Sequence, residues 1–440
     1  MSAMDKIIGY THIKCELRQI SDILKNREAY NKLGVSAPRG LLLHGDPGVG
    51  KSLMAAAVIE ESGRRVFVCR KDKPNGDFVK YIKEVFDEAA EHAPSIVLLD
   101  DMDKFANGDE RHPDVEEYVT VQSCIDEVKE KEVFVLATVN NVRNLPKSLC
   151  RAGRFDRVIE VEAPHGVDAE RIIAHYLSNK KLVEDVDVKT IARIMDGRSC
   201  AELETVINEA GLFAGYERAE YITMEHIVDA CMRVVFNVPS KSVVKDENEW
   251  YAYKNEGNSY EGSIPAQVAY HEAGHAVVSE ILIPDSTTLV CSYSNAGSRG
   301  GFAAYYYDRN VSPLYWKKSR VAVSLAGMAA IDLAFGIEVG GNSDDLDHAF
   351  AQAKDLVVGN CIRGLHLHKN DYEDSQRLWS EQEQVVASEV ERYYRKAKEI
   401  LSSNKEFFEK VAAELTQKGV LIMGDIRRIK ESCKITPVTL

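Results

Sequence analysis

The sequence predicts a multidomain chain: an α/β domain built on a parallel sheet, a helical lid, and then a mainly α-helical domain. Three observations carry this. The first 165 or so residues alternate apolar strand-like runs with helical stretches; residues 166–238 keep only the helical period; and after a polar stretch the helical pattern resumes, with one β-prone interruption. At 440 residues the chain also exceeds what one core ordinarily organises.

The strand-like runs fall at residues 40–44, 65–70, 95–100, 133–138 and 158–161, and their alternation with helices implies parallel pairing with helices on both faces. Residues 171–177 and 201–214 repeat their apolar positions at the helical period, which makes 166–238 a small helical domain. Pro239 opens a stretch with little to bury, running through Lys245-Asp246-Glu247-Asn248-Glu249 to Gly262. The expected boundaries are therefore 1–165, 166–238, a linker at 239–263, and 264–440. The last domain is expected to hold a β-prone segment at 287–307, a buried core helix over 321–335, and a closing charged helix at about 381–402. The 321–335 run is short of the roughly 18 apolar residues a spanning helix needs and carries Asp332, so no membrane segment is expected.

Composition narrows function. With 55 Lys plus Arg against 69 Asp plus Glu, the net charge of −14 repels phosphate backbones, so no nucleic acid partner is expected. Nine cysteines without a Cys-x-x-Cys pair suit reduced thiols and a cytoplasmic location, and residues 1–9 show no secretory signal.

Gly45-Asp46-Pro47-Gly48-Val49-Gly50-Lys51-Ser52 is a phosphate-binding loop in its required setting, after the strand Leu41-Leu42-Leu43 and before a helix beginning near Leu53. Its backbone N–H groups curl around phosphates, Lys51 neutralises their charge, and Ser52 offers a hydroxyl to magnesium. The run Ser95-Ile96-Val97-Leu98-Leu99 ends in Asp100 and Asp101, which brings Asp100 to the magnesium side of an ATP site. The next strand ends near Asn140 and Asn141, either of which is suited to orient an attacking water.

Further along, His271-Glu272-Ala273-Gly274-His275 lies in a helical run. At 100° per residue the two histidines are about 40° apart on one face, so both imidazoles reach one metal, and Glu272 is free to act as the acid–base group. Zinc catalysis requires a third protein ligand.

Arg151-Ala152-Gly153-Arg154-Phe155-Asp156-Arg157, eleven residues beyond Asn140, closely resembles a signature of the AAA ATPases. Joined to the zinc motif, the whole order of pieces resembles the FtsH family of AAA+ zinc metalloproteases. The likeness runs from Ile8-Gly9 through Asn208-Glu209-Ala210-Gly211 and Leu325-Ala326-Gly327-Met328 to Met423-Gly424-Asp425-Ile426. The resemblance implies Asn140 as the sensor residue, Arg151 and Arg154 as fingers reaching a neighbouring subunit's γ-phosphate, and Ile8, Gly9 and His175 around adenine. It makes Asp345, in Gly341-Asn342-Ser343-Asp344-Asp345-Leu346, the third zinc ligand, with Asp344 as the alternative. It implies a homohexamer that uses ATP, magnesium and zinc to unfold and cut protein or peptide substrates. The alternatives are a ring ATPase that remodels a partner without degrading it, and an ATP-independent peptidase with a scaffold ATPase.

Three departures qualify the likeness. The family has membrane helices ahead of the ATPase module, whereas the given sequence begins at about the start of that module. Asp101 stands where the family has Glu, one methylene shorter. The family's aromatic pore loop is replaced by the polar Lys71-Asp72-Lys73-Pro74-Asn75-Gly76-Asp77, leaving Phe78 or Tyr81 as substitutes. The segment 300–307 is expected to form an edge strand beside the zinc on which a peptide backbone pairs, with Phe302 or a tyrosine favouring apolar residues near the cut.

Overall fold

The computed structural model describes residues 2–72, 75–106, 115–151, 153–238, 264–293, 300–308, 311–336, 343–368 and 376–440. The expected linker at 239–263 lies outside these residues, as do Lys73, Pro74, Ala152, Gly341 and Asn342. Contacts divide the chain into two units, Met1–Lys181 with Asp196–Glu209, and Leu182–Met195 with Ala210–Leu440.

The first unit is built on five parallel strands: β1 (Gly40–His44), β2 (Arg65–Cys69), β3 (Ser95–Leu99), β4 (Val133–Val139) and β5 (Arg157–Glu160), in the order β2-β3-β4-β1-β5. All five coincide with the predicted runs to within a residue or two at their ends. Strand β4 is buried at every position, as a continuous apolar run in a doubly covered parallel sheet should be. Helix α1 (Thr11–Lys25) buries Ile13, Leu17, Ile20 and Leu24 at the i, i+3, i+4 spacing of an amphipathic stripe. The strand order reverses beside β1, and the phosphate loop runs from its carboxyl end into the helix Lys51–Ser62, where α/β sheets place ligands.

Residues 166–238 form four helices, Gly166–Leu177, Val188–Ile194, Cys200–Glu217 and Met224–Val235, with one isolated bridge between Leu182 and Ile222.

In the second unit a helical core surrounds the helix Ile264–Leu282, which carries the His-Glu-x-x-His motif and tolerates Pro265 because a first-turn residue needs no intrahelical donor. The expected single helix over 321–335 is instead two, Pro313–Ser324 and Ala326–Phe335, broken at Leu325. The β-prone segment supplies β6 (Thr287–Cys291) and β7 (Phe302–Tyr305), and a third strand, β8 (Val420–Ile422), completes the order β7-β6-β8. The charged helix, Gln376–Ser403, does not close the chain: Lys405–Lys418, β8 and Met423–Glu431 follow. The buried Asn404 makes the turn after it, donating to Ile400 O at 2.9 Å and Thr436 O at 3.0 Å, a tertiary bond with no local signature.

Candidate active sites

The phosphate loop lies against a cavity of about 610 Å³ lined by residues 47–53 together with Ile8, Asp101, Asn140 and His175. The loop's glycines take left-handed φ angles of +144° at Gly45, +80° at Gly48 and +103° at Gly50, and a Cβ on Gly45 would meet Val161 O at 2.1 Å. The Lys51 ammonium donates to Gly45 O at 2.7 Å, Asp46 O at 2.8 Å and Asn140 Oδ1 at 3.0 Å, so the loop lysine and the predicted sensor amide meet. Burial lowers the Lys51 pKa, with Asp101, Asp103 and Asp46 opposing. Gly9 and Asp100 are not among the lining residues; Gly9 has φ +70°, with Asp168 3.0 Å from where its Cβ would be.

Both carboxylates after β3 are engaged within the chain. Asp100 accepts from Thr138 Oγ1 at 2.8 Å and from Arg70 Nε at 2.9 Å; burial would raise its pKa, but these bonds lower it. Asp101, in a left-handed conformation with φ 52°, pairs its carboxylate with Lys104 at 2.7 Å and bonds Thr138 through its backbone. Here the N–H of Asp101 is the donor and Thr138 Oγ1 the acceptor, at 2.9 Å.

The two predicted fingers differ. Arg151 is exposed. Arg154 is largely buried and grips Asp126 with both Nε, at 3.1 Å, and Nη2, at 2.7 Å, and the guanidinium bond holds the Asp126 carboxyl down at about 2. Phe78, one suggested pore residue, is fully buried and packs edge-on against Phe105 at 5.1 Å, so it belongs to the core. Tyr81 donates to Val68 O at 3.1 Å.

In the second unit, His271 Nε2 and His275 Nε2 lie 3.0 Å apart, and Asp345 Oδ2 is 2.9 Å from the first and 3.1 Å from the second. Asp344, the alternative, is exposed. His275 Nδ1–H donates to Val323 O at 2.6 Å, which leaves Nε2 its lone pair. That carbonyl is available because the helix Pro313–Ser324 ends one residue later. Burial would raise the Asp345 carboxyl, but bonds from both histidines hold it well below the usual range; burial pushes Glu272 up to about 7, with His275 opposing.

This donor set fits zinc. Three ligands about 2.0–2.2 Å from a tetrahedral ion stand roughly 3.3 Å apart, a few tenths of an ångström wider than the distances here. A Cβ on Gly327 would fill the gap, falling 2.4 Å from His271 Nε2 and 2.6 Å from His275 Nε2. A second close approach fixes the neighbouring helices, since a Cβ on Gly274 would strike Ala330 Cβ at 2.5 Å and Ala326 O at 2.6 Å.

Strand β7 begins beside Glu272: a Cβ on Gly301 would lie 2.6 Å from Glu272 Cγ. It pairs only with β6 among the described strands. Tyr306 N–H donates to Ser286 O at 2.8 Å and Ala304 O accepts from Thr288 Oγ1 at 3.1 Å, so these even-numbered residues turn their main-chain groups toward β6. By alternation, Ala303 and Tyr305 present theirs at the open edge. Ala304, within the segment expected to pair with a peptide, turns its main-chain groups inward.

Three family models match in the order of the two sites: the ATPase family associated with various cellular activities over residues 41–163, the AAA+ lid domain over 185–229, and peptidase family M41 over 265–429. An ATP-dependent zinc metalloprotease FtsH of Caldicellulosiruptor bescii is 30% identical across 96% of this chain and 71% of its own length. This chain belongs to the FtsH family. Other members align as fully, at 28% identity: FtsH 2 of Symbiobacterium thermophilum, over 96% of this chain and 73% of its own, and FtsH of Thermus thermophilus, over 97% and 70%. The protein is accordingly an ATP-dependent zinc metalloprotease, with zinc, ATP and magnesium as its cofactors. Among the described residues no helix is long and apolar enough to cross a membrane.

Sequence reasoning missed several FtsH-site neighbours of this chain. Arg70 and Thr138 reach Asp100 only through folding, while Lys104 pairs with Asp101 three residues away. Tyr10 and Cys200 line the nucleotide cavity. Gly327 did leave a signal: a glycine inside an Ala-rich helical run disfavours the helix by about 1 kcal/mol against Ala and so marks a packing requirement.

Proposed function

We propose that His271, His275 and Asp345 hold the catalytic zinc, that Glu272 is the general base, and that a substrate peptide lies along the open edge of β7. The observation that carries this is the convergence of two imidazole Nε2 atoms and one carboxylate oxygen within 3.1 Å, with Glu272 buried alongside. When bound, zinc supplies Lewis acidity toward a carbonyl and toward water. The chain's own part is to orient His275 through Val323 O, to hold a proton on Glu272 between water and the leaving amine, and to pair the substrate backbone with Ala303 and Tyr305.

In the ATPase module the loop 45–52 and Lys51 bind the phosphates, Ser52 and Asp100 serve magnesium, Leu53, Ile8, Gly9 and His175 flank the nucleoside, and Asp101 with Asn140 orients the attacking water. Arg151 and Arg154 act across a subunit boundary, which requires a ring, a homohexamer by the family's pattern. For Arg154 this entails exchanging Asp126 for a phosphate. The nine free thiols suit a reducing cytoplasm.

The test is casein degradation by zinc-loaded protein with ATP, without ATP, and with a chelator. ATP-stimulated cleavage that the chelator stops is the expected result. Cleavage that persists in a metal-free preparation, or zinc-loaded protein inert toward casein and short peptides alike, refutes the assignment.

A further inference from the structure

A cation with no assigned task lies close to this site. Arg320 is on the helix Pro313–Ser324, one turn before Val323, whose carbonyl holds His275. Its guanidinium carbon stands 4.4 Å from the centroid of the Tyr305 ring. Its Nη1 is buried and has no hydrogen-bond partner. Elsewhere in the same unit Arg363 and Arg392 both meet Glu389, at 2.5 and 3.0 Å, Arg427 meets Asp285 at 2.9 Å, and Arg428 meets Glu414. In a chain with an excess of acids, none among the described residues is supplied to Arg320. A buried charged donor left without an acceptor is unfavourable, and such groups in folded proteins call for an explanation.

The location suggests the acceptor. Side chains alternate along a strand, so Gly301, Ala303 and Tyr305 share one face of β7, the face that meets Glu272 at Gly301. Burial raises the pKa of the Tyr305 phenol, while the Arg320 charge and a side-chain hydrogen bond with Arg320 oppose it, so the tyrosine holds one part of the guanidinium and leaves Nη1 unmatched. Tyr305, on the face that meets Glu272 at Gly301, thus carries the Arg320 guanidinium over its ring. From Gly301 to Tyr305 an extended chain advances about 13 Å, the length of four substrate residues.

We propose that Arg320, steadied by the Tyr305 ring, is a specificity residue that donates to a carboxylate of the peptide lying on β7, within about four residues of the bond that is cut. The proposal rests on the peptidase assignment above. An acidic side chain and a free chain terminus offer the same chemistry, a planar carboxylate that a guanidinium binds through two parallel N–H donors.

The experiment uses zinc-loaded full-length protein and fluorogenic peptides that carry one Glu or one Gln, walked through four positions on each side of the cut, all with amidated C-termini. A second set contains no acidic residue and ends in either a free acid or an amide at the same distances. Glu at one or two neighbouring positions should lower KM about tenfold relative to Gln, with kcat little changed. Arg320→Met should abolish that difference while cleaving the Gln peptides as the wild type does, and Arg320→Lys should restore part of it. If the free acid and not Glu gives the effect, the recognised group is the chain terminus. Equal KM for Glu and Gln throughout, together with equal KM for acid and amide, overturns the proposal, as does a preference that survives in Arg320→Met. Should Arg320→Met lose zinc or its thermal transition, the wild-type Glu-against-Gln comparison decides alone. Failure of the wild type to cleave even the neutral peptides would instead refute the peptidase assignment.

Discussion

Replacing Gly327 by Ala sets two effects against each other. The helix Ala326–Phe335 should gain, since Ala is favoured over Gly in a helix interior by up to about 1 kcal/mol. The metal site should lose. The new methyl would stand 2.4 Å from both Cε1 and Nε2 of His271 and 2.6 Å from His275 Nε2. Ordinary contact needs about 3.5 Å, so each ring has to retreat by about 1 Å, whereas coordination distances tolerate only about 0.2 Å. His275 cannot swing freely, being tied to Val323 O at 2.6 Å, and the helices are already in contact at Gly274. Zinc affinity should therefore fall by at least the 10- to 100-fold typical of losing a supporting contact around a metal, and in the metal-free protein the crowding should offset the helix gain. Zinc per chain, measured in chelator-buffered solutions alongside a thermal melt of the metal-free protein, checks both halves. A Gly327→Ala protein with wild-type zinc affinity would refute the steric argument.

Glu272→Gln should keep its zinc and lose proteolysis, whereas Asp345→Ala should lose zinc and Asp344→Ala should not; metal analysis of the three decides between the neighbouring aspartates. Ala303→Pro should raise KM for peptides several-fold by deleting an edge donor, while Ala304→Pro should lower stability by removing a bond to β6; the reverse pattern would show the strand's parity to be wrong. Arg154→Ala mixed into wild-type protein should depress the ATPase rate more steeply than dilution alone, and a proportional fall would argue against a role in trans. The same substitution tests the pair with Asp126: a carboxyl held at about 2, against about 3.9 unfolded, contributes fully above pH 4 and loses that contribution as pH falls toward 2. The stability deficit of Arg154→Ala, about 1 kcal/mol for this partly exposed pair, should thus be constant from pH 7 to 5 and narrow below 4 in urea titrations.

What the sequence displayed best was chemistry confined to one turn or one loop. The phosphate loop and the His271–His275 spacing are legible because the backbone alone brings their atoms together, and the five parallel strands announced themselves as apolar runs. Asp345 is 74 residues from His271 and became a candidate through family likeness, since no spacing rule connects them. Arg70 on Asp100 and Arg320 over Tyr305 depend on how separate elements pack, and nothing local marks them. The break at Leu325 was hidden because its flanks are equally apolar, and β8, at three residues, is too short to show an alternation.

Strand β8 also orders events in time. Its residues Val420–Ile422 flank β6 on the side away from β7, and they lie beyond every helix that carries a metal-site residue. As the chain leaves the ribosome, β6 and β7 emerge long before the strand that finishes their sheet. The three-stranded sheet therefore reaches its full pairing only after residues 420–422 have emerged and docked against β6.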